Sequence, residues 1–94
     1  MIGGFTKTRP ATEEVQNIVS EVQGQVQSRL NVQFDRFQAV SYRSQVVAGV
    51  NYFIKVDVGN GSFIHIKVFV PLPYTNLPPS LSDVQIGKSL QDPL

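Results

Sequence analysis

Gln45-Val46-Val47-Ala48-Gly49-Val50-Asn51-Tyr52-Phe53-Ile54-Lys55-Val56-Asp57-Val58 is the stretch whose reading decides the fold. From Val50 it alternates. Val50, Tyr52, Ile54, Val56 and Val58 fall on one face of an extended chain, and Asn51, Phe53, Lys55 and Asp57 on the other. Its first part does not look like a loop, although it sits between two strand-like runs. Gln45, Val46, Val47, Ala48 and Gly49 carry no charge. A hairpin tip meets water, and burying one valine side chain is worth roughly 1.5–3 kcal/mol. An uncharged, apolar tip is therefore either a folding error or a binding surface, and a contiguous exposed apolar patch points to a partner. The competing reading is a plain strand continuation with the turn at Gly49-Val50.

Working outward, Gly59-Asn60-Gly61-Ser62 follows, and Asn60-Gly61 is a strong hairpin-turn pair. Phe63 to Val70 alternates again, and Pro71 and Pro73 end it because proline cannot donate to a central ladder. Residues 74–80 read as a loop, and Ser82 to Lys88 as a last, edge strand. On the N-terminal side, a strand runs from about Phe37 to Val46, with Phe37, Ala39 and Ser41 alternating with Gln38, Val40 and Tyr42. Before it, residues 13–30 have helical periodicity in Val15, Ile18, Val19, Val22, Val26 and Leu30. Thr12 is a suitable N-cap, and Glu13 and Glu14 suit the positive end of the helix dipole. Gln16, Gln23 and Gln27 are expected to face water. Residues 1–11 read as a flexible extended arm with no periodicity to pack it on the body. Residues 89–94 read as loosely held.

One helix followed by hairpin-connected strands is an α+β pattern. Its antiparallel sheet should pack one face on the helix and leave the other wet. The turns at 46–50 and 71–76 lie two strand lengths apart, so they should meet at one end of the sheet, opposite Asn60-Gly61. Tyr74, held on a proline-fixed loop, then reads as an interface anchor.

Ninety-four residues with 41% hydrophobic and 16% charged residues make one folded domain, 1–94. Eight basic against seven acidic residues argue against nucleic acid and anionic membranes as partners. No apolar run approaches the ~18 residues of a membrane helix. The N-terminal segment lacks the apolar core of a signal peptide. The lack of cysteine excludes disulfides and thiolate chemistry. Together these lead to an expectation of a cytoplasmic protein without cofactor or metal. Catalysis is poorly supported. The single histidine, His65, is expected on a solvated strand face without a nucleophile beside it. Gly59-Asn60-Gly61 lacks the lysine and helix of a phosphate loop.

These residues resemble the cystatin superfamily, and most closely the stefins. The likeness rests on Pro10-Ala11-Thr12 before the helix and on Ala39-Val40. It continues through Ser44 to Val56, with His65-Ile66-Lys67-Val68-Phe69 and Leu72-Pro73 at the expected distances. The resemblance implies a cystatin-like, five-stranded antiparallel sheet wrapped around one long α-helix. It also implies a non-enzymatic protein: a reversible, tight, competitive inhibitor of papain-like cysteine proteases, cathepsins included. In that family a glycine-bearing arm and two hairpin loops form the protease-binding wedge. Here these would be Gly3 and Gly4; Gln45, Val46, Val47, Ala48 and Gly49; and Leu72, Pro73 and Tyr74. The arm is one residue shorter than in familiar stefins, so the key glycine maps to Gly3, with Gly4 as the alternative. Tyr74 stands where a small or polar residue is usual, Val50 where threonine is usual, and the familiar C-terminal aromatic is absent. The alternative to an inhibitor is a self-associating interaction module or an engineered scaffold. A monomer that also forms a domain-swapped dimer is the expected assembly.

Overall fold

The computed structural model describes residues 4–94. The chain runs β1 (Arg9–Pro10), α1 (Glu13–Leu30), β2 (Gln38–Val47), β3 (Gly49–Gly59), β4 (Ser62–Val70), a 3-10 turn (Pro73–Thr75) and β5 (Ser80–Lys88). The five strands form one antiparallel sheet in the order β1-β2-β3-β4-β5, with α1 across one face. This is the α+β arrangement that the alternation and the helical periodicity dictate.

The helix starts where its cap places it. Thr12 is extended, and its hydroxyl accepts the Val15 N–H at 3.2 Å. It ends at Asn31, whose left-handed backbone (φ 54°) returns its N–H to the Gln27 carbonyl. Val15, Ile18, Val19, Val22 and Val26 are buried against Tyr42, Ile54, Val56, Ile64, Ile66, Val68 and Leu81. At roughly 1.5–3 kcal/mol for each fully buried valine or isoleucine, this seam outweighs the weak helix propensity of β-branched residues.

Three expectations change. Gln16 and Gln23 do not simply face water, and neither does Gln27. The Gln16 amide accepts the Ala39 N–H at 2.7 Å and donates to the Phe37 carbonyl at 3.2 Å. Gln27 accepts the Phe34 N–H at 3.0 Å, and Gln23 donates to the Phe34 carbonyl at 3.3 Å. On the opposite flank Gln25 accepts the Leu81 N–H at 2.9 Å and donates to the Pro79 carbonyl at 3.3 Å. These amides act as short stretches of strand backbone, satisfying peptide groups outside the sheet ladder.

The second change lies in β2. The pairing shifts between Ala39 and Ser41, so Val40 is an extra residue. Ala39 lies opposite Val56 and Tyr42 opposite Ile54, both on the helix side. A strict period of two would have put Ala39 and Tyr42 on opposite faces.

The third change is the outer face of the sheet, which residues 90–94 cross. The Lys55 ammonium donates to the carbonyls of Leu90 and Asp92, the latter at 2.6 Å, and Lys55 is only 4% exposed. His65, expected in solvent, is 7% exposed beside it. Burial, with the charges of Lys55 and Lys88, holds the His65 imidazole below its ordinary pKa, and Asp92 opposes this only in part. The arm also packs. Thr6 donates its N–H to the Ser44 carbonyl at 2.9 Å, and Arg9 and Pro10 lie opposite Tyr42 and Ser41.

Candidate functional site: an uncharged edge at one end of the sheet

The β2–β3 hairpin closes tightly. Val46 lies opposite Val50 and Val47 opposite Gly49, which leaves Ala48 alone at the tip. Below the tip, Asn51 donates to the Gln45 side-chain oxygen at 3.4 Å. Gly49 is buried, with φ at 130°. A Cβ there would stand 2.6 Å from the Val70 carbonyl oxygen and 2.8 Å from the Phe69 ring. Only glycine lets the tip lean onto the end of β4 in this way. Val46, by contrast, is 68% exposed.

Val50 pairs with Val70, so the chain leaves β4 beside the hairpin tip. It enters a turn that its own residues fix. The Thr75 hydroxyl donates to the Leu72 carbonyl at 2.7 Å, and the Thr75 N–H donates to the same oxygen at 3.0 Å. Asn76 then takes a left-handed conformation (φ 55°) and returns its N–H to Pro73. The turn exposes Pro73 and holds Tyr74 at 80% exposure, while Leu72 is half-buried. The Asn60-Gly61 turn closes the other end of β3 and β4, with both residues at positive φ.

The arm approaches from the β1 side. It runs antiparallel to β2, from Pro10 opposite Ser41 to Thr6 bonded at Ser44. That direction leads Gly4 toward the hairpin tip. Gly4 is exposed, with open space around it. Gly3 lies outside the described residues.

The structure thus brings Val46, Val47, Ala48 and Gly49 to the sheet end that also carries Leu72, Pro73 and Tyr74. None of these seven residues is charged. Sequence reasoning missed Thr75, which sets the second loop; its signal is a hydroxyl three residues after Leu72. It also missed exposed Leu77, at 64%, and half-exposed Phe5 beside Gly4. A lone aromatic next to a glycine pair was the available sign for Phe5.

Away from this edge, the Tyr52 phenol donates to Glu14 at 3.4 Å. Burial, then the Glu14 carboxylate, pushes the Tyr52 pKa up. Asp57 is held below the usual carboxylate range by the Gly59 N–H and by the Arg36 guanidinium, which stands 2.8 Å away. Among the described residues no group of three or more His, Cys, Asp or Glu could hold a metal ion. No helix among them is long and apolar enough to cross a membrane.

Comparison with known proteins gives the same fold a family. Residues 3–90 match the Cystatin domain. The chain is 51% identical to Cystatin-A1 of Sus scrofa over 94 residues, all of this chain and 91% of that protein. It is 48% identical to Cystatin-B of Homo sapiens, again over the whole chain and 96% of the relative. It is 45% identical to Leukocyte cysteine proteinase inhibitor 1 of Sus scrofa over its full length and 91% of that protein. With a family match over nearly the whole chain and full-length relatives near half identity, this chain belongs to the cystatin family, in its stefin branch.

Proposed function

We propose that this chain is a reversible, tight-binding, competitive inhibitor of papain-like cysteine proteases of the cathepsin type, acting as a cytoplasmic monomer. The observation that carries the reading is the uncharged edge at one end of the sheet, where the Val46–Gly49 tip and the Leu72–Tyr74 loop adjoin and toward which the arm runs. A relative of 45% identity that bears the name of a cysteine proteinase inhibitor supports it.

The mechanism needs no chemistry from this chain. Gly3 and Gly4, Gln45 to Gly49, and Leu72 to Tyr74 enter the protease cleft as a wedge. They exclude substrate without laying a peptide bond across the catalytic cysteine. Affinity comes from desolvating the apolar tip and Tyr74. It is helped by preorganisation, since Gly49 locks the first loop onto β4 and Thr75 locks the second before binding.

Titration of papain at nanomolar enzyme with monomer from size exclusion tests this. Stoichiometric loss of activity, relieved by competing substrate, is expected. A folded monomer that leaves papain active would overturn the reading. The Val46→Asp, Val47→Asp double variant is expected to weaken inhibition more than about a thousandfold, because two carboxylates would be desolvated without partners. Unchanged titration by this variant would remove the hairpin tip from the binding edge.

A further inference from the structure

On the outer face of β2, Arg43 joins three segments that are far apart in sequence. Its Nε donates to the Thr6 carbonyl at 2.9 Å, and its Nη1 donates to the Leu94 carbonyl at 3.0 Å. Its guanidinium carbon lies 5.3 Å from the centre of the Phe5 ring. That ring meets Phe53, the partner of Arg43 across the β2–β3 ladder, edge-on at 4.8 Å. Phe5, Arg43, Phe53 and Leu94 line a small open hollow of about 120 Å³.

We infer that Arg43 is a positioning residue for the arm, clamping Phe5 and Thr6 against the sheet together with Leu94, so that Leu94 influences protease binding without touching the protease. The inference rests on the proposed inhibitory role of the arm. The need for a clamp follows from the arm's short ladder. The regular pairing of β1 covers only Arg9 and Pro10. Thr6 adds its N–H to Ser44 and accepts the Ser44 N–H on its hydroxyl at 3.1 Å. Beyond Phe5 comes Gly4, which has no side chain to pack and much backbone freedom to lose. Whatever fixes Phe5 and Thr6 therefore fixes the starting direction of Gly4. Arginine suits the task because its planar fork donates in two directions at once, toward Thr6 and toward Leu94, with its face on Phe5. Lysine keeps the charge and loses the fork.

Two variants separate the parts. Arg43→Lys removes the fork. A chain ending at Asp92 removes the Leu94 acceptor but keeps two oxygen acceptors for Lys55, the Leu90 carbonyl and an Asp92 oxygen that becomes a terminal carboxylate. The first readout is amide exchange in the free protein by NMR. The Thr6 amide is expected to lose about tenfold of its protection in both variants, while the Ile54 and Val68 amides hold theirs. Undiminished Thr6 protection in both would overturn the clamp, whether or not the chain inhibits anything. The second readout is dissociation from papain. The off-rate is expected to rise about tenfold in both variants. It should rise no further in a background that already lacks residues 1–8. An equal effect of Arg43→Lys with and without the arm would mean that Arg43 acts on the sheet and not on the arm. Failure of the wild-type chain to inhibit papain would instead defeat the inhibitor reading and leave the exchange result to decide the clamp.

Discussion

At Gly49 the backbone takes φ 130° and passes so close to Val70 that a methyl group would overlap the carbonyl oxygen. Two penalties follow for any side chain there, one from φ and one from the clash. Gly49→Ala is expected to cost about 2–3 kcal/mol in urea denaturation, and more in inhibition than in stability, because relief of the clash lifts the tip off β4. Val46→Ala, at an exposed position on the same hairpin, is expected to change stability by less than about 0.5 kcal/mol. A second residue-scale effect belongs to His65. Its Nε2 is buried with no hydrogen-bond partner among the described residues, and burial, then Lys55 and Lys88, disfavour its charged form. With the folded pKa lowered, the unfolded chain takes up the proton first as pH falls. Stability from this group is therefore full above the ordinary histidine value of about 6.5 and is lost as pH falls through it toward the lower folded value. Urea midpoints at steps from pH 8 to pH 5 are expected to fall in the native chain. In His65→Gln the fall should be shallower. Parallel profiles would mean that His65 is not the group responsible.

Between helix and sheet, the glutamine side chains matter as much as the apolar seam. Gln16 satisfies Ala39 and Phe37 at the bulged start of β2, where the ladder is irregular. Gln16→Ala leaves the Ala39 N–H without its 2.7 Å acceptor. It is expected to destabilise by about 1–3 kcal/mol with an unchanged denaturant slope, the cost of stranding a half-buried amide. A loss below the error of the midpoint would mean that water replaces the amide freely. Here the sequence was hard to read. The start of the helix announces itself through Thr12 and the two glutamates, and β3 and β4 through strict alternation. A glutamine on a helix gives no such sign, because the same residue serves equally well as a solvated one. The bulge at Val40 hid which face Tyr42 takes, since one extra residue inverts a pattern of period two. Residues 89–94 hid for a related reason. They cover the outer face through backbone carbonyls on Lys55, and backbone acceptors leave no mark in side-chain patterning.

Over the whole molecule, the candidate edge was legible to the extent that topology alone fixes it. In a meander, alternate turns share an end, so adjacency of the Val46–Gly49 and Leu72–Tyr74 segments followed from counting strands. The docking of Phe5 and Thr6 did not follow, because it depends on Arg43 and Phe53, which are far off in sequence. The same view of the molecule sets its electrostatics. The net charge is +1, and none of the three segments that the inhibitor reading assigns to the protease carries a charged residue. If affinity comes from desolvating uncharged loops, screening has little to act on. Raising salt from about 0.05 to 0.5 M shortens the screening length severalfold, yet the Kd for papain is expected to change less than about threefold. The association rate should also stay within the range of unsteered encounter, about 10⁵–10⁷ M⁻¹s⁻¹, with little salt dependence. A steep loss of affinity with salt would mean that Lys7, Arg9 or other charges flanking the edge meet the protease directly. The wedge would then be broader than the three uncharged segments, and substitutions of those charges would have to be measured beside those of the loops.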